Sequence, residues 1–292
     1  MFSIPSLKML FIKRIINLDK NKTFTSACDY LCFVMADDDF QFDPELNYDE
    51  ATLEQQRQIE KDIADQQGLV SDRIGLDQIA TEYAAEDQVY LNKIQDLKDR
   101  YKCVRKTRGD GNCFFRAFGF ACFENLLKDK TDYKRFHDVV SQTKDDLINL
   151  GFPQFTIEDF HENFMEAVSR LESISLEELV AMFNEQGLSD YLVVYLRLVV
   201  SGFLQKEHDF YANFIEGYAT VKDFCAHEVE PMGKESDHIH ITALTQALGV
   251  PVQVVYMDRG EGSKCNLHVF PEDSIPSITL LYRPGHYDII YS

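Results

Sequence analysis

Between Phe114 and Leu127 only Arg116, Glu124 and Asn125 interrupt a run of apolar residues. A helix of that pattern has no polar stripe wide enough to face water, so it must be buried on most sides and lie at the centre of the fold. Cys113 stands immediately before it, preceded by Gly109-Asp110-Gly111-Asn112. At a helix N-terminus four backbone N–H groups lack intrahelical partners and the dipole is positive. A cysteine there is favoured as the thiolate, the form that attacks carbonyls. Gly109 and Gly111 permit a tight loop whose N–H groups can face a developing oxyanion, which makes Gly109, Asp110, Gly111 and Asn112 the candidate oxyanion loop.

The far end of the chain supplies a base. Residues 279–282 and 287–291 are β-rich runs separated by Arg283-Pro284-Gly285, a turn signal. His286 opens the second run, and side chains two apart on a strand share a face. Asp288 is therefore placed to fix the imidazole tautomer and to stabilise the imidazolium. Cys113 as nucleophile, His286 as base and Asp288 as orienter complete the set that covalent acyl transfer requires. Asp110 is the runner-up orienter, although its closeness to Cys113 in sequence suits a loop-shaping role better.

Around these segments, 52–67, 76–85 and 87–101 read as helices of an N-terminal arm. Further helices are expected at 132–150, 157–171, 176–184, 189–204 and 240–248. Strands cluster late, at 252–257, 267–270, 279–282 and 287–291, and Gly260 to Lys264 reads as a hairpin loop. Helices followed by a compact strand cluster imply an α+β or mixed α/β domain with a small central sheet. The apolar stretch 191–204 is interrupted by Arg197 and Ser201 and reads as a core helix, too short to cross a bilayer.

The net charge of −20 argues against nucleic acid, for which a basic patch would be expected, and suits either attraction to a basic protein face or solubility alone. Seven cysteines without regular spacing indicate a reducing compartment, and Cys28 and Cys32 lack the second pair a zinc site needs. Cys103, Cys122, Cys225 and Cys265 read as packing residues, and His137, His161 and His208 as surface residues. His238 and His240 read as residues that cap or pack the helix after them. Residues 1–34 carry Lys8, Lys13, Arg14, Lys20 and Lys22 against Asp19 and Asp29, opposite in sign to the remainder, and residues 37–50 are acidic and aperiodic. Mitochondrial targeting by residues 1–34 is the less favoured reading of that basic start.

Taken in order, Val104-Arg105-Lys106-Thr107-Arg108, Asp110-Gly111-Asn112-Cys113, Asp190 to Leu198, Glu235-Ser236-Asp237-His238-Ile239-His240, Tyr256 to Gly262 and the terminal Gly285-His286-Tyr287-Asp288 carry a resemblance over residues 45–292. The chain resembles the otubains, deubiquitinating cysteine proteases of the ovarian-tumour superfamily. The resemblance implies a papain-like fold of the ovarian-tumour type, with a small central sheet surrounded by helices. Its expected divisions are a basic then acidic, disordered extension at 1–45, a helical arm at 46–100 and a catalytic domain at 101–292. It implies a cytoplasmic enzyme, with the nucleus as a second location, that needs no cofactor and no metal and acts on polyubiquitin, preferring chains joined through lysine forty-eight. By the same resemblance Asp110 joins Cys113, His286 and Asp288 as an active-site member. Ubiquitin contacts are expected at His227, Glu228, Glu230, Lys234, Thr242, Gln246, Asn266, His268 and Phe270. The alternative function is non-catalytic binding and inhibition of ubiquitin-conjugating enzymes.

Overall fold

A computed structural model describes residues 67–260 and 262–292, which belong to one compact unit. The expected extension, the acidic lead-in, Cys28, Cys32 and all but the last residue of the helix at 52–67 lie outside the described residues. Six strands form one sheet: β1 (Val70–Gly75), β2 (Cys103–Thr107), β3 (Val252–Tyr256), β4 (Asn266–Phe270), β5 (Ile278–Arg283) and β6 (His286–Tyr291). They lie in the order β1-β2-β6-β5-β3-β4, antiparallel except where β3 pairs parallel with β5. The helices are α1 (Leu76–Ala80), α2 (Gln88–Arg100), α3 (Cys113–Leu126), α4 (Lys130–Asn149), α5 (Gln154–Arg170), α6 (Leu176–Asn184), α7 (Gln186–Lys206), α8 (His208–Tyr211), α9 (Val221–Phe224) and α10 (His238–Leu248). The mixed helix-and-sheet class is as expected, and β3 and β4 form the hairpin expected around residues 260–264.

Strand alternation gives the sheet two apolar faces. Ile289 and Tyr287 of β6 face α3, while Ile290 joins Leu281, Val255 and Val104 against Ile79, Ile94 and Leu97 of α1 and α2. Residues 69–100, read from the sequence as an arm, are therefore integral: β1 is an edge strand, and α1 and α2 cover one face. The strand signal of β1 is weak because its burial does not alternate, and Arg105 and Lys106 mask that of β2.

α3 lies at the centre, with every residue but Asn125 buried. Burying its phenylalanines stabilises the fold by roughly 2–3 kcal/mol each. The breaks at Arg116 and Glu124 mark no wet stripe, because both side chains are buried and ion-paired, Glu124 with Arg73 at 2.7 Å. α7 packs against it and, at 21 residues, is longer than the expected 189–204 and long enough by length and composition to cross a membrane. Its side chains are instead largely buried within the protein. His161 departs from its expected surface position: α5 turns it against α4, where its Nε2 meets Val140 O at 3.2 Å and its ring meets Tyr195 edge-on.

Candidate active site

The helix start and the terminal hairpin converge. Asn112 caps α3 without a side-chain bond, and the first intrahelical bond runs from Arg116 N to Asn112 O at 3.0 Å. The amides of Cys113, Phe114 and Phe115 thus precede the ladder and have no partner within the helix. Pro284 and Gly285 close the hairpin between β5 and β6, with Gly285 at φ 75°, and set Arg283 opposite His286 in register.

His286 Nε2 donates to Asp288 Oδ1 at 2.9 Å. That bond leaves Nδ1 facing Gly109, where an added Cβ would stand 3.8 Å from it, and the imidazole also feels Cys113 at the start of α3. Burial alone would lower the pKa of His286, but Asp288 and Cys113 outweigh it and raise the value to about 9. At neutral pH the ring is an imidazolium held between a carboxylate and a sulfur.

Asp288 is fully buried, yet burial fails to neutralise it: the bond from His286, the charges of His286 and Arg283 and the amide of Thr107 hold its carboxyl below the usual range. Thr107 N donates to Oδ1 at 2.9 Å and Arg283 Nη2 to Oδ2 at 2.6 Å. Arg283 in turn meets Glu82 at 2.6 Å, and Glu82 pairs with Lys106. Replacing Arg283 by glutamine leaves one oxygen of a buried carboxylate unpaired and is expected to cost about 3 kcal/mol. A carboxylate with a depressed pKa stabilises the fold above its unfolded pKa, and that contribution is lost as pH falls through the folded value. Without Arg283 the folded value rises, so acid unfolding followed by circular dichroism should begin at higher pH. Coincident acid transitions in variant and parent would refute this role.

Asp110 is not placed as the orienter. Its carboxylate accepts from Asn112 N and from Arg116 Nη1, both at 2.9 Å, and so holds the loop in shape. The first of these bonds removes Asn112 alone from the expected oxyanion donors, because its amide is already engaged. The Asn112 side chain is engaged too, its Oδ1 accepting from Gly233 N and Arg197 Nη2 at 2.9 Å. The amides of Gly109, Asp110 and Gly111 stay candidate oxyanion donors, together with that of Cys113 at the start of α3.

The expected ubiquitin-contact residues fall into three groups. His227 and Glu228 lie on a π-helical turn, Cys225–Val229, where Glu228 accepts from Lys234 at 3.2 Å and from Tyr218; Glu230 follows and accepts from Ser201 at 2.7 Å. Asn266, His268 and Phe270 lie on the edge strand β4, where His268 meets the Tyr256 ring and Phe270 the His238 ring. Thr242 and Gln246 lie on α10, and Gln246 lines a cavity of about 140 Å³ against α4 and α7. Arg116, Arg197, Arg283, Glu82 and Gly233 were not anticipated as site residues. Two of them left a signal in the sequence, as charges inside apolar helices. Cys122, Cys225 and Cys265 are free and buried, which pushes all three thiols up, that of Cys225 to about 12 and that of Cys265 to about 11.

A family model described as Peptidase C65 Otubain matches residues 62–292. The chain is 56% identical over 247 residues to a Homo sapiens protein, ubiquitin thioesterase OTUB1, covering 84% of this chain and 91% of that one. It is 42% identical over 264 residues to the ovarian tumor domain-containing deubiquitinating enzyme 1 of Arabidopsis thaliana, covering 82% and 86%. Among solved structures, h/ceOTUB1 with ubiquitin aldehyde and UBCH5B~Ub superposes with TM-score 0.80 at 38% identity, covering 84% of this chain and 98% of that one. The corresponding complex with UBC13~Ub gives 0.79 at 37% identity, covering 84% and 99%.

Proposed function

The chain belongs to the otubain family of cysteine peptidases, and from that premise we propose that it hydrolyses isopeptide bonds in polyubiquitin through Cys113, His286 and Asp288. The observation that carries the reading is His286 poised between Asp288 at 2.9 Å and Cys113 at the start of a buried helix. The Cys113 sulfur attacks the carbonyl of the ubiquitin C-terminal glycine, forming the S–C bond while the helix-start amides receive the oxyanion. As the C–N bond breaks, the imidazolium of His286 gives its proton to the leaving lysine amine. Neutral His286 then takes a proton from water, whose oxygen attacks the thioester, and the sulfur leaves as thiolate paired again with imidazolium. Asp288 remains ionised throughout and holds the ring.

Preference for chains joined through lysine forty-eight follows from the family resemblance. Incubation with di-ubiquitins of every linkage, read on gels as mono-ubiquitin, tests it. Release from that linkage well ahead of the others is the expected result, and equal release from all of them would remove the preference. No release from any linkage would remove the hydrolase reading itself.

Inhibition of conjugating enzymes is a second reading, favoured by the superposition on h/ceOTUB1 bound to UBCH5B~Ub and UBC13~Ub. It needs a binding surface and no nucleophile, so inhibition is expected to persist in a protein lacking the Cys113 sulfur.

A further inference from the structure

Arg197 sits in the middle of α7 with none of its surface exposed. Its bonded partners are neutral oxygens: Nη1 donates to Val229 O at 2.9 Å, and Nη2 lies at 3.0 Å from Gly111 O, 2.9 Å from Asn112 Oδ1 and 2.8 Å from Lys234 O. Its Nε has no partner, and its guanidinium lies 4.5 Å over the Phe115 ring. Burial lowers its pKa to about 10, while the charges of Asp110 and Cys113 act in the opposite sense. Burying a cation without a bonded carboxylate is costly, and an apolar residue would fill a helix interior more cheaply. The arrangement therefore needs a reason outside helix packing.

The bonding supplies one. A single nitrogen spans the loop that leads into the nucleophile and the backbone of a segment far along the chain. Asn112 Oδ1 is shared between that nitrogen and Gly233 N, so the two segments are locked at one junction. We infer that Arg197 is a positioning residue for the reaction: it ties the Val229–Lys234 segment to the Gly111–Asn112 loop and sets a positive charge against the loop that leads into Cys113. The inference rests on Cys113 as nucleophile and deepens that reading. It makes the segment carrying Glu230 and Lys234 one rigid body with the catalytic loop, so a substrate seated there is registered against the sulfur.

The first readout of the test needs no ubiquitin. The full chain and its Arg197→Lys and Asn112→Ala variants are treated with iodoacetamide across a pH series, and alkylation of each cysteine is read by mass spectrometry. Lysine keeps the charge but replaces the planar fork by a single ammonium. Alkylation of Cys113 at neutral pH is expected to fall about tenfold in Arg197→Lys, and turnover of a ubiquitin substrate about a hundredfold, mostly in kcat, since small displacements of a reacting group carry costs of that order. Asn112→Ala removes one acceptor of the junction, leaves Arg197 its three backbone carbonyls and should move alkylation in the same direction by a smaller factor. A merely structural role gives the opposite sign: a loosened fold exposes Cys113 and the buried Cys225, and alkylation of both rises. Rates at Cys113 equal to or above those of the parent in folded Arg197→Lys overturn the inference. Should that variant fail to fold, a folded Asn112→Ala alkylated at the parent rate does the same. A Cys113 already inert in the parent overturns the nucleophile reading along with it, whereas a reactive Cys113 indifferent to both substitutions overturns this inference alone.

Discussion

Cys113→Ala is expected to lower di-ubiquitin cleavage by at least ~10³-fold, because no other group stands where the S–C bond must form and loss of a nucleophile in related chemistry costs 10⁴ or more. The fold should survive. Cys113 is 5% exposed, and alanine removes one sulfur atom from a buried site, a change of about 1 kcal/mol. The more discriminating consequence falls on His286. Its raised pKa of about 9 comes from Asp288 and Cys113 acting against burial. Removing the sulfur takes away one of the two supports, so the imidazole should titrate at lower pH, measured by NMR on a histidine-labelled sample. A raised histidine pKa contributes stability that is full below the unfolded value near 6.5 and is lost as pH rises through the folded value. In the variant that contribution is smaller and its loss is complete at lower pH, which narrows the stable range from its alkaline side. An unchanged His286 titration would mean that sulfur and imidazole are uncoupled, and the mechanism would lose its proton carrier.

Cys113 and His286 were legible in the sequence as a candidate pair because each sits in a local pattern. A cysteine before an apolar helix and a histidine two residues from an aspartate on a strand both obey rules that reach only a few residues along the chain. The helices from α3 to α7 and the four late strands were legible for the same reason. What supports the site was not. Arg197 reaches Gly111 across 86 residues and Lys234 across 37, and Arg283 reaches Glu82 across 201. No periodicity encodes such pairings. The strands β1 and β2 were missed because charge sits where alternation would place apolar groups. Arg105 is 4% exposed and stacks over Phe120 at 5.0 Å. His161 was misplaced because its polar neighbours on α5 face water while it faces α4. In each case a buried polar group had found a partner that only the tertiary fold provides.

The glycines of the loop before Cys113 separate two kinds of constraint, and Gly111→Ala should be the most damaging change short of losing the sulfur. Gly111 has φ 74°, a region costing a side chain about 1–2 kcal/mol. A Cβ there would also stand 2.0 Å from Gly233 O and 2.4 Å from Gly233 C. Both obstacles are backbone, so no rotamer relieves them. The loop or the Gly233 turn has to move, and with either goes the junction made by Asn112 Oδ1, Gly233 N and Arg197. Stability should fall by at least ~2 kcal/mol and kcat/KM by at least a hundredfold, since displacing a reacting group by an ångström costs about that much. Gly109→Ala serves as the control. A Cβ at Gly109 meets His286 Nδ1 at 3.8 Å, ordinary contact, and its backbone is not among the positive-φ glycines. Gly109→Ala should therefore melt close to the parent and alter activity through the imidazole alone. Gly233→Ala lies between the two, with φ 78° but only an ordinary 3.7 Å approach to Asp110 O, so it should show the conformational cost without the overlap. Thermal melts and kcat/KM for the three variants should rank Gly111 worst, Gly233 next and Gly109 mildest in stability. A Gly111→Ala protein with parental melting and turnover would show that the loop and the Gly233 turn are free to separate, and the close approach of the two backbones would then have no part in holding the nucleophile.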